Sequence, residues 1–316
     1  MRLDPSKQQS LAELGEVDLI VLGTGAAGLT AALTASLEGL SVAVLEAAPV
    51  VGGTTARSSG TAWIPNNRLM QAAGFAPDAE AAHAYLSSLI TNTDAREAWQ
   101  AFLVHAPKMQ ADLEDRAEIL FRPYRSAPDY QSDLEGAASG GRALEPIEFD
   151  GRRLDSWFDM LAEPMRELTV LGGMMITRAE AQRLIHAERS PAAMVEGLKL
   201  LLRHLRDRLR FRRGTRLVMG NALVARLLHA TLIHGGLVFT NAHVREIELT
   251  EGRVAGVGGV YGERPFSLAA RAGVVLAGGG FPADPEMTSR YLPTLAPGHS
   301  PASPFARGTT IGLGIK

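Results

Sequence analysis

Cysteine is absent from all 316 residues. Its absence excludes disulfides, iron–sulfur ligation and thiol catalysis, and it suits a reducing compartment such as the cytoplasm. An excess of charge of either sign is missing too. Against 34 Asp and Glu stand 32 Lys and Arg, a net charge of −2 that gives no overall pull toward nucleic acid or an anionic membrane. Long hydrophobic runs are also lacking. The most apolar stretch, 17–37, has Glu16 and Asp18 at its start and is broken by Gly23, Gly25 and Gly28, so neither a signal peptide nor a spanning helix fits. No repeat of solenoid period occurs. Glycine and proline are frequent but dispersed, which implies no disorder beyond the termini. Residues 1–13 read as a loose polar leader.

What is present is concentrated in 18–46, DLIVLGTGAAGLTAALTASLEGLSVAVLE. Leu19–Leu22 is short and apolar, as a buried strand is. Gly23, Gly25 and Gly28 follow at G-x-G-x-x-G spacing, then an Ala- and Leu-rich helix over Thr30–Leu37, ended by Gly39. Ser41–Leu45 is a second strand with Glu46 at its end. This order is the dinucleotide fingerprint of a β-α-β unit. Gly23 makes the tight turn, Gly25 lets the backbone approach a pyrophosphate, and Gly28 lets the helix pack on the sheet. At the helix start, Ala26 and Ala27 offer unpaired N–H groups and a partial positive charge to phosphate. Glu46 lies 18 residues after Gly28, near the spacing of about 20 for a carboxylate on a ribose hydroxyl.

A second dense set of small and hydroxyl residues follows: Gly52, Gly53, Thr54, Thr55, Ser58, Ser59, Gly60 and Thr61. Such residues suit a second phosphate-facing loop, because backbone N–H and short hydroxyl groups must approach an anion closely. The apolar Trp63-Ile64-Pro65 after them does not suit a merely solvated loop.

The Gly23–Gly28 turn, Glu46 and the 52–60 loop together resemble the flavoprotein group of fumarate reductases and 3-ketosteroid dehydrogenases. The Trp63–Asn67 ending is more similar to the 3-ketosteroid Δ1-dehydrogenase side. The resemblance implies FAD. It implies noncovalent FAD, since covalent members of the group use a histidine in this loop and none precedes His83. It assigns cofactor contact to Gly23, Gly25, Ala26, Ala27, Gly28, Glu46, Gly53, Thr54, Thr55, Ser58, Gly60 and Thr61. Val244 is similar to a position whose backbone lies near the adenine. The 274–281 run, VVLAGGGF, resembles the group's second flavin-contacting strand and turn, which adds Ala277, Gly278 and Gly279. In the irregular stretch 121–154, Pro128-Asp-Tyr130 and the glycine-rich residues after it resemble the segment whose tyrosine lines the steroid pocket. Tyr130 is therefore the candidate catalytic residue, a phenol suited to donate to a carbonyl or enolate oxygen, with Tyr124 as second choice.

The fold class expected is α/β: a Rossmann-like FAD-binding domain with a parallel central sheet, a small β appendage around 237–260 and helical insertions. The domain would span 14–290, with a helical insertion over about 77–215. Within it, Tyr85, Leu86, Trp99, Phe102 and Met109 recur at helical spacing and read as core, and His83 and His105 as structural. Leu198–Arg216 is a basic helix read as having a solvated cationic face, contact with a membrane surface or an acidic partner being the alternative. Asn221–Ile233 reads as another amphipathic helix. Ala306–Lys316 resembles the family's T-G-D-G-I segment with Leu313 in place of the acid. The resemblance covers nearly the whole chain but only the first part of a typical member, so 291–316 reads as the start of an interrupted substrate domain.

The function implied is removal of two hydrogens from an apolar ketone such as a 3-ketosteroid. A base takes the proton beside the carbonyl, the enolate oxygen is hydrogen-bonded, and hydride passes to the flavin. The alternatives are a fumarate-reductase-like reductase of a small unsaturated acid and a noncatalytic FAD-binding remnant.

Overall fold

A parallel strand buried on both faces reads as an unbroken apolar run, because helices cover it on either side. Two such strands nucleate the first unit in the computed structural model, which describes residues 3–292, 294 and 300–315. Met1 and Arg2 of the expected leader, and Lys316 of the terminal segment, lie outside the described residues. The strands are β1 (Glu16–Leu22) and β2 (Val42–Leu45), joined by helix α1 (Ala26–Leu37). Four more strands complete one sheet: β3 (Leu237–Phe239), β4 (Ala242–Thr250), β5 (Arg253–Tyr261) and β6 (Arg264–Leu276). Their order is β3-β2-β1-β6-β5-β4.

The neighbours β3, β2, β1 and β6 run parallel, as expected for the centre. The expected β appendage continues the same sheet. The 13-residue β6 pairs antiparallel with β5 over Arg264–Ala269 and parallel with β1 over Ala269–Leu276, so one strand carries both halves. Ile20, Leu22, Leu45, Phe239, Val257 and Leu268 from five of these strands share one core.

Helix α3 (Met219–Ile233) is buried from Gly220 through Leu228 and again at Ala230 and Thr231. It is therefore a central helix and not an amphipathic one, which fits a sequence that is apolar nearly all round. Helix α2 (Pro191–Arg208) departs from expectation in the opposite sense, since Leu198, Leu202 and Leu205 are exposed. Residues 300–315, ending in the short helix α4 (Thr309–Ile315), pack within this same unit.

The unit comprises Met1–Ser58 and Glu148–Lys316, and Ser59–Ile147 form a second. That second unit begins earlier and ends sooner than the 77–215 insertion expected. It has an antiparallel sheet of Ala62–Trp63, Ala143–Pro146 and Phe121–Pro123 and helices over Arg68–Ala72, Ala79–Leu89 and Arg96–Ala117. Its interior is tied by Arg142, which is 1% exposed and donates to Asp78, Asp129 and the Gly136 carbonyl at 2.6, 2.6 and 2.8 Å. Tyr85, Leu86 and Trp99 are core as expected, whereas Phe102 and Met109 are partly exposed. The His83 ring packs edge-on against Trp99. Among the described residues no cluster of His, Asp and Glu could hold a metal ion, and no helix is long and apolar enough to cross a membrane.

Candidate functional site

Three strand ends meet at one edge of the sheet. Gly23 N donates to the Leu45 carbonyl (2.8 Å), Ala277 N to Leu22 (2.9 Å) and Glu46 N to Phe239 (2.8 Å), which brings the first turn, the acid and the 277–279 turn side by side. Two of the fingerprint glycines are forced by the protein itself. A Cβ on Gly23, whose φ is +108°, would lie 2.5 Å from the Ala277 carbonyl oxygen, and one on Gly28 would lie 2.0 Å from the Gly23 oxygen. Gly25 is different. A Cβ there would meet only Thr55 Oγ1, at 3.7 Å, and one on Gly279 would meet nothing within 4 Å.

The open space beside Gly25 is a cavity of about 440 Å³. Gly23, Gly25, Ala26, Ala27, Glu46, Gly53, Thr54, Thr55, Val244, Ala277, Gly278 and Gly279 line it. Gly28 sits behind the turn. Ser58 also stands behind, its hydroxyl donating to the Thr55 carbonyl at 2.9 Å. Gly60, Thr61 and Tyr130 belong to the second unit. Thr61 there hydrogen-bonds Ser59, and the Tyr130 side chain is fully exposed.

The cavity's electrostatics are one-sided. Helix α1 begins at Gly25 with no acidic residue in its first turn, so the positive end of its dipole faces the opening uncompensated. Ala26 N donates to Thr55 Oγ1 at 3.0 Å. The amides of Ala27 and Gly28 have no carbonyl within the helix to reach. Arg245 and Arg307 also line the cavity, and Glu46 is its one carboxylate among the described lining residues. Glu46 is held in place by three donors: the Thr24 hydroxyl, Thr24 N at 3.0 Å and Ala48 N at 2.9 Å. Amides, hydroxyls, a helix N-terminus, two guanidinium groups and one oriented carboxylate form a donor set that fits a diphosphate joined to a ribose.

Several residues at the cavity wall or behind it were not anticipated. Thr24, 0% exposed, donates its hydroxyl to Glu46 and accepts from Gly52 N at 3.0 Å, so it ties both glycine-rich loops to the acid. From within α3, the buried Asn221 donates to the Ala56 and Ala162 carbonyls at 2.7 and 3.2 Å and braces the second loop from behind. Ser303 N donates to Thr54 Oγ1 at 3.1 Å, and Gly308 N to the Gly280 carbonyl at 3.0 Å. Thr310 of α4 fills the place a Cβ on Gly278 would take, 2.6 Å away. Leu313, where an acid was expected, is buried in the sheet core at the cavity wall.

Residues 18–316 match the FAD binding domain family. The chain belongs to that family. FAD is the cofactor the family implies, and the donor set above suits it. The chain is 36% identical over 299 residues to the 4-oxocyclohex-2-ene-1-carboxylate 5-dehydrogenase of Sinomonas cyclohexanicum, covering 94% of this chain and 49% of that protein. It is 32% identical over 283 residues to the 3-oxosteroid 1-dehydrogenase of Mycolicibacterium smegmatis, covering 87% and 49%. Among solved structures it resembles the 3-ketosteroid delta1-dehydrogenase of Sterolibacterium denitrificans in complex with 1,4-androstadiene-3,17-dione. That match has a TM-score of 0.84 at 32% identity and covers 95% of this chain and 54% of the other. This FAD-binding chain therefore spans about half the length of the curated relatives it matches.

Proposed function

We propose that this chain forms part of an FAD-dependent dehydrogenase that desaturates a CH–CH bond beside a ring ketone. The observation that carries the proposal is the convergence of Gly23, Glu46 and Ala277 on one cavity whose wall is rich in donors. In this reading the amides of Ala26 and Ala27 and the Gly53, Thr54 and Thr55 loop hold the diphosphate. Glu46, oriented by Thr24, accepts from the ribose hydroxyls. The Val244 backbone flanks the adenine, and Ala277, Gly278 and Gly279 form the floor toward the flavin. When bound, FAD supplies the hydride acceptor. Tyr130 is proposed to donate a hydrogen bond to the substrate's carbonyl oxygen. The likeness of the 128–151 stretch supports that role. Residues 14–290, with 300–315 packed in the same unit, are proposed as the cofactor domain. The cofactor is noncovalent, no histidine lying before His83, and the cysteine-free composition supports a cytoplasmic setting.

The substrate class proposed first is an apolar ring ketone of the 3-ketosteroid kind, on the likeness to the two steroid dehydrogenases. A small cyclic oxo-acid is the second reading, favoured by the relative at 36% identity, whose name carries such a substrate. Purified chain, reconstituted with FAD and assayed with an artificial electron acceptor, distinguishes them. Turnover of 3-ketosteroids supports the first, and turnover of 4-oxocyclohexenecarboxylate alone replaces it with the second. Flavin binding without turnover of either restricts this chain to holding the cofactor. No flavin binding at all overturns the proposal.

A further inference from the structure

Helix α2 is mounted inside out. Its buried side carries Ala193, His204 and Asp207, and Asp207 accepts from Thr215 N at 2.8 Å and Thr215 Oγ1 at 2.7 Å. On the same side Gly197 lies against Leu184. The outward side carries Met194, Leu198, Leu202, Leu205 and, at the cap, Leu209, each between 53% and 85% exposed. Their spacing of three and four residues makes one line along the helix, about 22 Å long at 1.5 Å per residue. A soluble helix normally turns such a line inward.

The cations beside the line indicate what covers it. At about 3.6 residues per turn, Lys199, Arg203 and Arg206 fall along one flank and Arg208 along the other. Lys199, Arg206 and Arg208 have no ion pair among the described residues, and Arg203 has only a long contact with Asp150 at 3.8 Å. Of the two acids on the helix, Glu196 is held by Arg183 at 2.6 Å and the buried Asp207 by Thr215. An apolar ridge with flanking long cationic side chains matches an anionic bilayer surface. The leucines enter the acyl boundary while the guanidinium groups stay at the headgroups. A second copy fits less well, since two such ridges face to face bring like charges together.

We propose that α2 docks this chain on an anionic lipid surface. The test is co-sedimentation of the purified chain with phosphatidylcholine vesicles, with and without phosphatidylglycerol, over a range of salt. Wild type is expected to sediment with the anionic vesicles, progressively less as salt rises, and to stay in solution with the neutral ones. The double variant Leu202→Asp, Leu205→Asp is expected to lose at least tenfold in partition while keeping its circular dichroism and melting temperature. Arg206→Gln with Arg208→Gln, which is milder toward folding, is expected to lose about fivefold per cation removed. Three results overturn the proposal: wild type that ignores anionic vesicles, both variants sedimenting as wild type does, or a wild-type dimer in ultracentrifugation that the aspartates make monomeric.

Discussion

Gly23 and Gly25 look alike in the fingerprint, yet they answer to different neighbours. Gly23→Ala places a methyl 2.5 Å from a backbone oxygen at φ +108°, so it is expected to destabilise the fold by roughly 2–5 kcal/mol in urea unfolding. Gly25→Ala meets nothing closer than 3.7 Å. It is expected to melt within a few degrees of wild type but to lose FAD affinity at least tenfold in a fluorescence titration. Glu46→Ala is expected to weaken FAD by about 1.5–3 kcal/mol, the range for a hydrogen bond to a charged group. Thr24→Val removes the hydroxyl, one of the three donors to Glu46, and leaves Gly52 N without its acceptor; it is expected to weaken FAD about tenfold, with Thr24→Ser restoring it. Unchanged affinity in Thr24→Val would show that the hydroxyl does not orient the acid. The glycines and Glu46 were legible in the sequence because their roles follow from spacing. Thr24 was not, since its partners Glu46 and Gly52 become neighbours only once β1 and β2 pair.

At the level of elements, β1 is fastened to both neighbours at its far end. Asp18 accepts from Ser41 N (2.8 Å) and Ser41 Oγ (2.7 Å) of the segment leading into β2, and from Arg271 Nε (2.8 Å) of β6. The Ser41 amide first, then its hydroxyl and the Arg271 guanidinium, hold the Asp18 carboxyl down at about 2. A carboxyl depressed on folding stabilises above its unfolded value, and that contribution fades as pH falls from about 4 toward 2. Wild type is therefore expected to lose urea resistance across that window more steeply than Asp18→Asn, measured at pH 5, 3 and 2.5. Strands and α1 were legible from apolar runs and turn glycines. The settings of α2 and α3 were not, because periodicity identifies an apolar face without saying what the face meets. In α3 every side meets protein, and in α2 the apolar line is more than half exposed.

For the whole molecule, the family and the α/β class could be read before any coordinates, because two fingerprints about 250 residues apart fit one sheet. The continuity of β6 could not, since Ser267–Ala277 and the hairpin before it look like separate strands until they are paired. FAD at a hundred times its dissociation constant is expected to raise stability by about 2.7 kcal/mol, read as an upward shift in Tm. Acid precipitation is expected to release all the yellow colour into the supernatant, and colour retained in the pellet would mean a covalent link.

The seam strand β6 also sets a timetable for synthesis. One border of β1 is closed only by residues about 250 positions downstream, so an emerging chain carries a naked apolar ribbon edge until that later stretch has left the ribosome. Such distant pairing is slow and exposes the chain to clumping. A version stopped just before Arg264 should gather in inclusion bodies, while one extended through Leu276 should not.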